Sequence, residues 1–200
     1  MHESKDGRLA LFSWPGREGL AYADDPGLWM MAEMAAGHAD LALPFAQQEP
    51  GAASARLSTY FHLRGVLLEA AERREEARAA YTRALELDPG SAETSVNLGP
   101  LLGTLGKARE GVGVLDAVIA AHPAASPALR NRAVLRLQLG DRRGFAADLE
   151  AAFIISPDAA VAGALAEHYR RSGELEESAR WARQAVQGDP SRAAGAAAGR

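Results

Sequence analysis

The stretch Ser58-Thr-Tyr-Phe-His-Leu-Arg-Gly-Val-Leu-Leu-Glu-Ala-Ala-Glu-Arg-Arg-Glu-Glu-Ala-Arg-Ala-Ala-Tyr-Thr-Arg-Ala-Leu-Glu-Leu-Asp-Pro89 decides the fold. Phe61, Gly65 and Leu68 fall on one helical face, and Ala77, Tyr81 and Ala84 on the face of a second helix, at spacings of three, four and seven. Pro89 then stops that second helix. The same punctuation returns down the chain: Pro123, Pro157 and Pro190 follow at intervals of 34, 34 and 33 residues. Alignment on these prolines puts Gly65, Gly99, Ala133 and Ala166 in one register and Tyr81, Leu115, Leu149 and Ala182 in another. Between the helices lie Gly106-Lys107, Gly140-Asp141 and Gly173-Glu174, where glycine suits the left-handed residue that ends a helix. A lone α-hairpin cannot bury its apolar face, so neighbouring units must stack, and four exceed the minimum of about three.

This pattern resembles the tetratricopeptide repeat, with units at 58–91, 92–125, 126–158 and 159–192. The first unit carries Phe61, Gly65, Leu68, Ala77, Tyr81, Ala84 and Pro89 in the family's places, with Arg64 where leucine is usual. The second keeps Leu98, Gly99, Leu102, Leu115 and Pro123 but has Gly111 at a small-residue position. The third keeps Leu129, Ala133, Leu149, Ala152 and Pro157, with Phe145 at that small position, and the fourth keeps Leu165, Ala166, Tyr169, Ala185 and Pro190. The resemblance implies an all-α fold: a right-handed superhelical stack of about four helix-turn-helix units.

It also implies a concave groove lined by the first helix of each unit. Carried over position by position, the lining is His62, Val66 and Glu69; Val96, Asn97 and Pro100; Arg130, Asn131, Val134, Leu137 and Gln138; and Glu167 and Arg170. Such a mixed surface suits a peptide or protein segment whose side chains meet the valine and leucine seam while amides bond its backbone. Family members that clamp a C-terminal carboxylate use lysine and asparagine where this chain has His62 and Val66, so that mode is not expected. Pro100 inside the first helix of the second unit predicts a kink.

Residues 1–57 form a separate compositional unit, with four basic and eight acidic residues, while residues 58–200 hold 18 of each. Leu9–Trp14 and Leu20–Ala23 read as a hairpin around Pro15-Gly16. A helix is expected over 26–36, with Asp25 as N-cap, Pro26 at the first position and Gly37 after its end. Residues 38–54 read as a linker. Neither the hairpin nor an 11-residue helix stands alone in water, so the segment either caps the first repeat or offers Trp29, Met30 and Met34 to a partner. At the far end, residues 193–200 read as a disordered Ala/Gly tail, and Trp181 is expected off the internal face, so that an uncapped end would support homo-oligomers.

The composition narrows function by exclusion. The chain of 200 residues is 48% hydrophobic and 24% charged, which reads as globular. Its 44 alanines against 6% aromatics disfavour an all-β fold. The absence of cysteine removes disulfides and thiol chemistry. A net charge of −4 lacks the positive field of a nucleic-acid binder. No stretch approaches the length of a membrane span, and the polar start shows no export signal, so a cytoplasmic location is expected. The five histidines form no ligand pair, and phosphate-binding and nucleophile motifs are missing, so no cofactor, metal or catalytic residue is expected. The sequence therefore reads as a non-enzymatic scaffold for protein partners. The alternative is an accessory or assembly subunit of an enzyme complex whose N-terminal segment makes the functional contact.

Overall fold

Helices start where the sequence supplies a cap and stop where it supplies a left-handed residue or a proline. The computed structural model describes residues 25–187. In order these form α1 (Pro26–Ala35), α2 (Ala39–Ala46), a short 3-10 turn (Ser54–Arg56), α3 (Ser58–Ala70), α4 (Arg74–Leu87), α5 (Ala92–Thr104), α6 (Ala108–Ala121), α7 (Ser126–Gln138), α8 (Arg142–Ile155), α9 (Ala159–Ser172) and α10 (Leu175–Gln187). No strand occurs among the described residues. From α3 onward the helices alternate as the proline spacing predicts, each pair closing one repeat. Gly106, Gly140 and Gly173 take φ values of 75°, 82° and 84° at the turn between paired helices. In the first repeat that left-handed place is held by Glu72, with φ 59°. The hairpin expected over residues 9–23, Pro190 and the tail lie outside the described residues.

The chain divides into two compact units, Met1–Leu98 and Gly99–Arg200. In the first, α1 and α2 pack on α3, so the described N-terminal helices share a unit with the first repeat. Met30, Ala42, Ala46 and Tyr60 are wholly buried together with Phe61, Leu67 and Ala84. The expected linker over 38–54 is corrected by α2. Pro44 lies inside that helix, where its ring removes one backbone bond. Ala42 and Ala46 are nevertheless wholly buried, and Arg64 Nε donates to the Ala46 carbonyl at 2.8 Å, closing the helix end. Arginine at a family leucine position thus has a local purpose. Within the α3–α4 hairpin, Gly65 lets the Tyr81 ring come so close that a Cβ would stand 2.5 Å from it.

In the second unit, Ala133, Phe145, Ala146, Leu149, Val161, Ala162, Leu165 and Trp181 make one buried cluster. The expectation that Trp181 lies off the internal face is corrected: it is 6% exposed and meets Phe153 edge-on at 5.2 Å. The large ring occupies space that a smaller side chain on α10 would leave empty. Helix α5 continues through Pro100 to Thr104 as one assigned helix. The preceding Gly99 has no Cβ to clash with the proline ring, which removes part of the usual penalty on a helical residue there. Asp141 and Asp158 cap α8 and α9 by accepting from Gly144 N at 2.8 Å and Ala160 N at 2.7 Å.

Candidate interaction surface

Repeat-to-repeat packing determines which of the predicted lining residues remain accessible. In the first unit one of them is buried and the others are half-buried. His62 is 8% exposed; its Nδ1 is 3.0 Å from Thr94 Oγ1, and its Nε2 is 3.5 Å from a Glu93 carboxylate oxygen. Its expected place on an open lining is therefore corrected to an internal link between α3 and α5. Glu69 is also engaged, accepting the Tyr81 hydroxyl proton at 3.0 Å. Burial and then the Glu69 charge push the Tyr81 hydroxyl far above the ordinary tyrosine range, while an Asn97 hydrogen bond opposes them. Val66, Val96 and Asn97 are half-buried. What joins His62, Glu69, Tyr81 and Asn97 is packing between helices of this unit.

The second unit differs. Helix α7 buries Ala128, Leu129, Ala133 and Leu135 and turns Val134 and Leu137 outward at 52% and 44% exposure. Gln138 is exposed on the same face, while Arg130 and Asn131 are half-buried there. Arg130 Nη1 lies 3.2 Å from Asp158 Oδ2, so its charge is already answered. Pro100 is half-buried on α5. On α9, Glu167 accepts from Arg170 at 2.7 Å and from Arg171 at 2.6 Å. These two guanidiniums bring the Glu167 carboxyl down to about 2. The predicted Glu167 and Arg170 thus form a surface triad with Arg171 that carries one net positive charge. Nearby on α9, the Tyr169 hydroxyl donates to Glu150 at 2.7 Å, and burial followed by that bond pushes it up to about 12.

Of the further predicted contact residues, Met30 and Trp181 are buried and Trp29 and Met34 half-buried. Met30 is fully buried, and Trp29 stacks on Phe45 with centroids 6.3 Å apart. Met34 packs half-buried against the same core. Trp181, already noted as internal, is covered by the Arg180 guanidinium 5.4 Å from its ring. These residues serve the folding of their own units because a helix too short to stand alone must spend its large side chains on docking.

The charge network in the second unit escaped sequence reading. Asp148 is 3% exposed and receives Arg132 Nε at 2.9 Å and Arg132 Nη2 at 2.6 Å. Arg136 Nη1 stands 3.0 Å from Asp148, and Arg132 Nη1 also reaches Asp116 at 2.6 Å. Asp148 bonds, against opposing burial and with help from Asp116, hold the Arg132 guanidinium above its ordinary pKa. The spacing of four between Arg132 and Arg136 places both on one turn-to-turn row, but nothing in the sequence pairs that row with Asp148. Among the described residues, no cluster of His, Asp or Glu could hold a metal ion, and no helix is long and apolar enough to cross a membrane.

Comparisons agree with this architecture. A family model described as the tetratricopeptide repeat matches residues 58–91. A comparison with curated protein sequences returned no match. Among solved structures, the RS-1 MamA ArsTM double mutant is 18% identical with a TM-score of 0.72, covering 84% of this chain and 97% of that one. A crystal structure of MamA is 16% identical with a TM-score of 0.73, covering 82% and 96%. MamA 41-end from Desulfovibrio magneticus RS-1 is 17% identical with a TM-score of 0.70, covering 82% and 94%. At these identities the likeness is one of fold.

Proposed function

We propose, from the premise that this chain is a tetratricopeptide-repeat protein, that it is a non-enzymatic scaffold holding a peptide or protein segment against the outward face of α7. Helical-repeat proteins use such faces for extended contacts with partner chains. The observation that carries the reading is the exposure of Val134 and Leu137, at 52% and 44%, on a helix whose other large apolar residues are buried. Two aliphatic side chains one turn apart on an exposed helix cost solvation unless something covers them. Gln138 beside them offers both a donor and an acceptor to a passing backbone. A segment with aliphatic side chains therefore fits, and on α9 the Glu167, Arg170 and Arg171 triad favours a partner with acidic residues.

The alternative, an accessory subunit contacting its enzyme through the N-terminal segment, has no comparable observation behind it, since Met30 is buried and Trp29 lies against Phe45. The test is to pan a peptide library against the full chain and measure the selected peptides by isothermal titration. Val134→Asp with Leu137→Asp should weaken binding at least tenfold while circular dichroism is unchanged. Peptides bound equally well by that variant would overturn the assignment to α7.

A further inference from the structure

We propose that α10 is the contact helix of a homodimer, in which two copies of this chain pair antiparallel along a stripe formed by Leu175, Ala179, Ala182 and Val186. The proposal is independent of the α7 reading. The stripe follows spacings of four, three and four, so its members lie on one side of the helix, about 130° round from Trp181. All four are exposed, Leu175 at 67% and Val186 at 48%. The repeat itself says what three of these positions are for, while Leu175 aligns with the exposed Arg142. Thirty-three residues earlier, α8 carries Ala146, Leu149 and Phe153 in the places of Ala179, Ala182 and Val186. There Ala146 and Leu149 are buried, and Phe153 is packed, against Val161, Leu165 and Trp181 of the following repeat. The face that seats a following repeat on α8 is thus uncovered on α10 among the described residues.

The occupant is indicated by the pattern of size and charge. In an antiparallel pair, Leu175 meets Val186 of the second copy and Ala179 meets its Ala182, so large residues close the two ends and alanines let the backbones approach in the middle. The charges match in the same arrangement. Glu176 and Arg183 are two turns apart on one flank of the stripe, both exposed and neither ion-paired among the described residues. Equal flanks face each other in an antiparallel helix pair, which places Glu176 opposite Arg183 of the second copy, and Arg183 opposite its Glu176. The helix is therefore complementary to itself, as an isologous two-fold contact requires.

Sedimentation equilibrium of the full chain tests this. The expected result is a mass of twice 21.1 kDa at tens of micromolar that falls on dilution. Ala182→Glu should leave a monomer with unchanged circular dichroism. Glu176→Arg alone and Arg183→Glu alone each make both cross-helix pairs repulsive and should weaken association by about tenfold. Mixing these two variants restores both opposite pairs and should recover a heterodimer at least as tight as the original dimer. A 21.1 kDa monomer at every concentration would overturn the proposal, and that is also the outcome if residues 188–200 cover the stripe within one chain. So would a dimer that survives Ala182→Glu, or a mixture that associates no better than its components.

Discussion

The Ser54 hydroxyl donates to the Asp25 carboxylate at 2.5 Å, joining residues 29 positions apart in the chain. The same carboxylate accepts from the backbone N–H groups of Gly27, Leu28, Gly51, Ala53 and Ser54, so one side chain both caps α1 and holds the 51–54 loop against it. Ser54 is itself wholly buried, and a Cβ at Gly51 would collide with the carboxylate. This junction ties α1 to the loop that leads into the first repeat, and its removal should be felt through the whole of that unit.

Asp25→Ala is expected to cost about 2–4 kcal/mol, combining a lost N-cap with buried donors left unpaired. Thermal or urea unfolding checks the value. The pH dependence has a definite sign. Burial pushes the Asp25 carboxyl up, but the Ser54 hydroxyl and the backbone donors outweigh it and hold its pKa below 3.8. A depressed carboxyl pKa gives stability that is fully present above the unfolded value and drains as pH falls through the folded one. Asp25→Ala should therefore flatten the fall in stability below about pH 4, and an unchanged slope would count against this account.

Gly65→Ala should destabilise by roughly 1–3 kcal/mol, although alanine is the better helix former by about 1 kcal/mol. The added methyl would stand 2.5 Å from the Tyr81 ring. At Gly113 nothing lies within 4 Å of the same added atom, so Gly113→Ala should stabilise by up to about 1 kcal/mol. Opposite signs for two helical glycines in denaturant titrations are the outcome to look for.

Glu72 holds a left-handed backbone, φ 59°, at the place where later repeats have glycine. That conformation costs a side-chain-bearing residue roughly 1–2 kcal/mol. Glu72→Gly should accordingly raise the melting temperature, net of the weak contact between Glu72 and Arg74 at 3.7 Å. A lower melting temperature would show that the turn gains more from the glutamate than from backbone freedom.

Asp148→Ala should cost about 3–5 kcal/mol by leaving Arg132 without its bidentate partner. Arg132→Lys should also destabilise, since an ammonium cannot reproduce both bonds to Asp148 while reaching Asp116. Double-mutant cycles on Arg132 and Asp148, read by urea unfolding, should give a coupling well above that of the exposed pair Arg83 and Glu86, whose atoms are just as close at 2.7 Å.

How much of this molecule can be read from its residues alone depends on the range of the forces involved. The helical pairs follow from proline spacing and from the small residues Gly65, Gly99 and Ala133, because both act within one or two turns of backbone. The N-cap at Asp25 is legible for the same reason. Its grip on Gly51 and Ser54 is not, since a carboxylate does not announce which distant N–H groups will surround it. Helix α2 was hidden by Pro44, which reads locally as a helix breaker, while the contacts that bury Ala42 and Ala46 come from elsewhere in the unit.

The candidate surface divides in the same way. Val134 and Leu137, carried onto the groove lining by the family resemblance, are 52% and 44% exposed. His62 and Trp181 were misread, because each is buried with help from an adjacent repeat: Thr94 beside the first, and Phe145, Leu149 and Phe153 of α8 in the cluster of the second. The sequence by itself determined the repeat, its helices and its left-handed turns, all set by short-range sterics and hydrogen bonding. Only the tertiary structure decided which polar and aromatic side chains are consumed in packing, because burial is a property of neighbours on other helices, 28 residues away for Phe153 and Trp181 and 32 for His62 and Thr94.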